Sequence, residues 1–145
     1  MSEPVVVTIG YEGRTVDELI DLLTSEEVEV LVDVRLNAMS RKQGFSKRRL
    51  GEAIAIAGIE YVHEPRLGNP KENRAGFQAN DPTSRESYLA RLNGESRPAF
   101  DAIVELALDR PIALMCYEAD HHICHRTCIS VQMHAEHPDL RVIDL

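Results

Sequence analysis

The stretch Leu114-Met115-Cys116-Tyr117-Glu118-Ala119-Asp120-His121-His122-Ile123-Cys124-His125-Arg126 gathers more chemically capable side chains than any other part of the chain. An apolar run turns polar at Cys116 and a helical pattern follows, so the turn between them offers free backbone N–H groups and the positive end of a helix. A thiol at that point is a candidate nucleophile, with Glu118 or His125 as proton carrier. Cys116 also fits a plainer role as a small buried residue at a strand end. The glycines of a phosphatase loop are absent. Cys116, His121, His122, Cys124, His125 and Cys128 form a dense set of donors suited to zinc, but no Cys-x-x-Cys pair is present, and Cys124 and Cys128 fall on one apolar helix stripe. No metal ligand is assigned, and the cofactor stays open.

Three other groups of residues belong beside this segment. Gly10-Tyr11-Glu12-Gly13-Arg14 has the position of a phosphate loop without the composition of a dinucleotide or Walker loop, and offers Tyr11 for stacking and Arg14 for an anion. Asp33 and Arg35 flank Val34 and share one side of a strand end, either as site groups or as partners of each other. Arg41, Lys42, Arg48, Arg66, Lys71 and Arg74 fall on loops near this rim, where they suit a phosphate-bearing small molecule or nucleic acid. Phe45, Tyr61 and Phe77 are too few for a stacking platform. The candidate site therefore holds Cys116, Glu118, His125 and Asp33 as catalytic groups. Gly10, Tyr11, Arg14, Arg35, Arg41, Arg66 and Arg126 are its binding groups.

Alternating strand and helix patterns position these residues. Val5 to Ile9, Val30 to Val34, Ile59 to His63, Pro111 to Met115 and Leu140 to Leu145 read as strands. Thr15 and Glu18 form a capping box before a helix with Val16, Leu19, Ile20 and Leu23 on one face. Ser46 caps a second helix that ends at Gly58. Glu64 to Pro82, with three prolines, two glycines and three asparagines, reads as a long excursion. Thr83 and Glu86 then form a capping-box pair before one helix, Pro98 opens another, and a last helix carries Cys124, Cys128, Val131 and Ala135 on one side. These alternations predict a single α/β domain over residues 1–145. Its architecture is a mostly parallel sheet of about five strands with helices on both faces, a Rossmann-like three-layer sandwich. In such sheets ligands bind outside the carboxyl ends of the strands, where the candidate residues fall.

Composition narrows the function classes. The chain has 145 residues, 43% hydrophobic and 28% charged, with a net charge of -8, which excludes disorder, collagen and membrane-spanning classes. Residues 1–34 hold nine carboxylates and one base, whereas residues 35–49 hold six bases and no carboxylate. The net charge thus speaks against indiscriminate coating of nucleic acid but not against a local anion site. The three cysteines lie within Cys116 to Cys128, so no disulfide framework joining distant parts of the chain is expected, and a cytoplasmic location fits.

Taken together, Thr8-Ile9-Gly10-Tyr11-Glu12-Gly13-Arg14, Val32-Asp33-Val34-Arg35, Ser40-Arg41 through Phe45-Ser46, Tyr61 with Arg66-Leu67-Gly68, and the Cys-x-Glu and Cys-His-Arg elements of Leu114 to Arg126 resemble the domain of unknown function 488 family. The resemblance implies a compact α/β domain and a shared polar site, and brings no established reaction with it. The family's motif positions fall on Gly10, Asp33, Arg35, Arg41, Phe45, Leu67, Gly68, Cys116, Glu118, Cys124, His125 and Arg126. Two loops depart from the family pattern. Lys42-Gln43-Gly44 follows Arg41 where members place a proline, and Leu67-Gly68-Asn69 replaces a double glycine.

Overall fold

A computed structural model describes residues 4–145; Met1 to Glu3, part of the acidic opening, lie outside it. Five strands, β1 (Val5–Gly10), β2 (Val30–Asp33), β3 (Glu60–His63), β4 (Ile112–Cys116) and β5 (Arg141–Asp144), form one parallel sheet in the order β3-β2-β4-β1-β5. The three inner strands are near-continuous apolar runs because both of their faces are covered. The edge strands β3 and β5 are half-exposed and carry Glu60, Arg141 and Asp144, charges that discourage further strand pairing.

Helices α1 (Val16–Ser25) and α2 (Lys47–Ile56) pack on one face, through Leu19, Leu23, Leu50 and Ile54 against Val7, Ile9, Leu31 and Met115. Helices α3 (Lys71–Gln78), α4 (Pro82–Asn93), α5 (Arg97–Asp109) and α6 (Arg126–Glu136) cover the other, where Phe77, Tyr88, Phe100 and Ile129 meet Val6, Val32 and Leu114. Parallel crossovers share one hand. From β1 to β3 the chain moves toward one sheet edge with its helices on the first face. It then reverses direction, and its helices change face. β4 is inserted between β1 and β2 on that return, so its connection leaves to the opposite face from theirs. A crevice opens where neighbouring strand ends diverge in this way.

The three-layer α/β architecture is as expected from the sequence, and strand limits differ by a residue. Ser46 holds the N-cap position of α2 but its hydroxyl bonds the Ser40 backbone instead of capping the helix, and three further local readings change. The excursion from Glu64 to Pro82 contains a 3-10 turn, Pro65–Leu67, and the whole of α3. That helix has a single fully buried side chain, Phe77, and no side-chain cap, so it shows no stripe. It is held instead by α4, with Phe77 edge-on to Tyr88 and Asn73 Nδ2 donating to the Ser84 carbonyl. The cap of α4 is Asp81, whose Oδ1 accepts from the Thr83 N–H at 2.9 Å, rather than Thr83. In α6 the buried apolar residues are Cys128, Ile129 and Met133, beside buried Arg126 and Ser130, while Val131 and Ala135 face solvent. The helix starts at Arg126, after Cys124, so the stripe is rotated from the one counted from Cys124. The Thr15–Glu18 capping box and the proline in the first turn of α5 are present as expected.

The end of β1 and the loop after β4 are in direct backbone contact. Glu12 N–H donates to the Tyr117 carbonyl at 2.8 Å, and a Cβ placed on Gly10 would fall 1.8 Å from the Glu118 carbonyl oxygen. Only a glycine permits that approach. Gly10→Ala is expected to lower stability by about 2 kcal/mol or more, the usual cost of forcing atoms into a filled site. The measurement is the urea midpoint; an unchanged value would mean that the loop withdraws freely.

Candidate functional site

Asp33 and Arg35 leave β2 on the α1–α2 face and pair with each other. Arg35 Nε and Nη2 donate to the two Asp33 carboxylate oxygens at 2.8 and 2.7 Å, and Tyr61 Oη donates to Asp33 Oδ2 at 2.6 Å. Arg35 Nη1 donates to the Phe45 carbonyl at 2.7 Å and to Tyr11 Oη at 3.3 Å. Burial works against the Arg35 charge, but the hydrogen bonds and charge of Asp33 outweigh it and hold the guanidinium above its ordinary value. Burial and then Asp33 push the Tyr61 hydroxyl up, so it stays a donor. Asp33 is wholly enclosed and its lone pairs are occupied. Its carboxylate fixes Arg35, and through Arg35 the path of the chain at Phe45. Of the five Arg35 hydrogens, one on Nη2 is left unspent.

Arg126, the first residue of α6, is fully buried without a carboxylate in contact. Its Nη1 donates to the Glu118 carbonyl at 2.6 Å and to Cys116 Sγ at 2.9 Å, and its Nη2 to the Ala119 carbonyl at 3.4 Å, while Nε has no partner. Burial pulls its pKa down to about 10, which still leaves it charged at neutral pH. The side chain pins the loop after β4 from below and puts a positive charge under it. His125 precedes it. Its Nε2 lies 2.8 Å from the Val34 carbonyl, which only accepts, so Nε2 carries the proton and Nδ1 keeps a bare lone pair. Burial above all pushes its pKa down to about 4, so the ring is neutral.

A cleft of about 250 Å³ opens over these groups, at the crevice beside β4. Cys116, Glu118, His125, Arg35 and Tyr11 line it. Arg74 of α3 lines it too, with only its Nε engaged, at 3.3 Å from the Asn69 carbonyl. Glu118 is half-buried and accepts a long 3.4 Å bond from Gln78 Nε2. Tyr11 is stacked on Phe45, with ring centroids 4.5 Å apart, so one of its faces is already taken. Among the other expected site residues, Asp33, Arg126 and Gly10 sit behind the lining and shape it. Arg14, Arg41 and Arg66 do not line the cleft: Arg14 Nε turns back to the Gly10 carbonyl, Arg41 is exposed, and Arg66 is paired with Glu64. Asn37, Asn69 and Gln78 line the cleft and were not singled out from the sequence. Isolated amides in turns and on a helix without an apolar stripe carry no periodic signal.

Cys116 and Cys124, eight positions apart, are joined in a disulfide. No bond links distant parts of the chain, as the cysteine positions imply, but the closed bond removes the free thiol that a Cys116 nucleophile requires. Cys116, Cys124 and His125 bring their ligand atoms within 4.8 Å of one another, the tightest such group among the described residues. With the two sulfurs bonded to each other, neither is the thiolate that binds metal. Cys128 is free and buried, and burial pushes its thiol up.

Fold and site together define a three-layer α/β protein with a polar cleft at the carboxyl end of its parallel sheet. The chain belongs to the family described as Domain of unknown function DUF488, whose model matches residues 15–132. That span includes the whole lining of the cleft except Tyr11. No curated protein and no solved structure matches the chain. Among the described residues, no helix is long and apolar enough to cross a membrane.

The neutral state of His125 has a stability consequence. Its folded pKa lies below that of an unfolded histidine, about 6.5, so below that pH the unfolded chain takes up the proton and the folded one resists it. Stability is expected to be full above pH 6.5 and to fall as the pH drops toward 4, by up to about 3 kcal/mol. His125→Gln should flatten that part of a urea-midpoint profile. A variant that loses stability over this range as steeply as the parent would place the buried proton uptake elsewhere.

Proposed function

We propose that this protein is an enzyme acting on a phosphate-bearing small molecule in the cleft beside β4. The observation that carries the reading is the convergence, in one cleft, of a cation with free donors (Arg74), a neutral histidine with a bare nitrogen (His125) and a carboxylate (Glu118). Arg74 has both Nη groups available for the forked contact that guanidinium makes with phosphate oxygens. The charge of Arg126 beneath the loop and the amino end of α6 add to the positive potential. Asp33 cancels Arg35, so Glu118 is the one carboxylate in the lining.

His125 Nδ1 is suited to accept a proton, and Glu118 to exchange one with solvent or substrate. The volume, about 250 Å³, falls just below that of pockets for drug-sized ligands and suits a compact phosphate ester up to about the size of a mononucleotide. A duplex does not fit such a space. Of the six loop bases that made nucleic acid a candidate partner, Arg74 alone lines the cleft; Arg41, Lys42, Arg48, Arg66 and Lys71 do not, nor do Lys47 and Arg49, exposed on α2.

The test is a calorimetric titration with ribose 5-phosphate and a nucleoside monophosphate. Arg74→Ala should weaken binding by about tenfold or more, the scale of one charge-assisted contact, while Arg41→Ala leaves it unchanged. Glu118→Gln and His125→Gln should retain binding and lose turnover. Equal affinity of the parent and Arg74→Ala, or equal affinity for the sugar without its phosphate, would overturn the reading.

A further inference from the structure

The disulfide lies in the wall of a cleft, with its surroundings arranged unequally around its two sulfurs. Cys116 lines the cleft and its Sγ accepts from the buried, charged Arg126 at 2.9 Å. Cys124 is as buried as Cys116, each 1% exposed, but it does not line the cleft, and His125 Nδ1 lies 3.8 Å from its sulfur. A cation donating to sulfur favours thiolate, the reactive form, and a bare imidazole nitrogen can take a thiol proton. Structural disulfides need neither device. The third cysteine, Cys128, does not line the cleft, and although Arg85 acts on its sulfur, burial outweighs that cation and keeps it a thiol.

We propose that Cys116 and Cys124 are a redox-active pair that reduces a low-molecular-weight disulfide of the glutathione class at this cleft, with Cys116 as attacking sulfur and Cys124 as resolving sulfur. In the reduced protein the Cys116 thiolate, its proton released to solvent, attacks one sulfur of the small disulfide. A bond forms between Cys116 Sγ and that sulfur, the small disulfide breaks, and the first small thiolate leaves and takes up a proton. Cys124 then gives its proton to His125 Nδ1 and attacks Cys116 Sγ. The mixed disulfide breaks, the bond between Cys116 and Cys124 closes, and the second small thiolate leaves with the proton relayed by His125. Two protein thiols and one small disulfide become one protein disulfide and two small thiols. Two electrons are transferred and all atoms are accounted for. The closed pair in this structure has the connectivity that this exchange would leave. The cleft has room for about one glutathionyl arm, the other arm of the small disulfide staying in solvent, and Arg74 suits a carboxylate of the bound arm.

This activity goes beyond phosphate binding and has its own readout. The reduced full-length protein is mixed with oxidised glutathione, quenched with an alkylating agent under unfolding conditions, and weighed by mass spectrometry. The parent should change from three alkylated cysteines to one, Cys128, with no glutathione retained. Cys124→Ser should retain one glutathione, mapped to Cys116. His125→Gln should accumulate the same adduct, with closure slowed about a hundredfold, the low end for loss of a positioned base. Three alkylated cysteines in the treated parent would overturn the proposal, whatever the variants do. So would glutathione mapped to Cys128, or stoichiometric zinc held by the reduced protein that blocks the exchange. None of these results alters the Arg74→Ala titration, so the two readings fail separately.

Discussion

Burying a guanidinium without a carboxylate to match it costs several kcal/mol unless its hydrogen bonds are supplied by other groups. Arg126 is held in this way, by the carbonyls of Glu118 and Ala119 and by the sulfur of Cys116. Those carbonyls can reach it only if the loop after β4 folds back toward α6, and the loop can take that path only because Gly10 has no side chain to obstruct it. The position of Glu118 at the cleft, the polarisation of Cys116 and the positive potential of the site therefore trace to one buried charge. Arg35 makes an instructive contrast. Asp33 neutralises it, and the pair acts as a brace between β2 and the Phe45 loop rather than as a source of field.

The strand order explains why these groups meet at all. With β4 between β1 and β2, the loop carrying Cys116 and Glu118 emerges between the loops carrying Tyr11 and Arg35. Because the helices after β1 and β2 lie on one face and α6 lies on the other, the three loops diverge and leave a cleft. α3 closes the outer side and brings Arg74 to it. The family match covers this assembly from α1 into α6.

Much of this was legible in the residues. Apolar runs marked five strands and most helices, because those signals depend on local periodicity, and of the two expected capping boxes the one at Thr15 forms while Asp81 caps the helix expected to start at Thr83. Cys116, Glu118, His125 and Arg126, crowded in the sequence, also lie together at the carboxyl end of β4. What was not legible depends on contacts between distant segments. α3 lacks a stripe and is stabilised by packing on α4, so its sequence reads as loop, and Arg74 appeared only as one basic residue among several. Arg14, Arg41 and Arg66 have the same charge as Arg74, but local partners turn Arg14 and Arg66 away, and Arg41 stands on its loop outside the cleft lining. The roles of Cys116 and Cys124 depended on their proximity across a turn, which spacing alone left open between nucleophile, ligand and core residue.

The central claim is that one buried, unmatched positive charge and the free donors of Arg74 make the cleft, and not the exposed basic stretch, the anion site of this protein. A crystal structure grown with inorganic phosphate tests it most directly. Density for phosphate against Arg74, beside Asn69 and within reach of His125, is the expected result. Phosphate found only among Arg41, Lys47, Arg48 and Arg49, with the cleft filled by water, would contradict it.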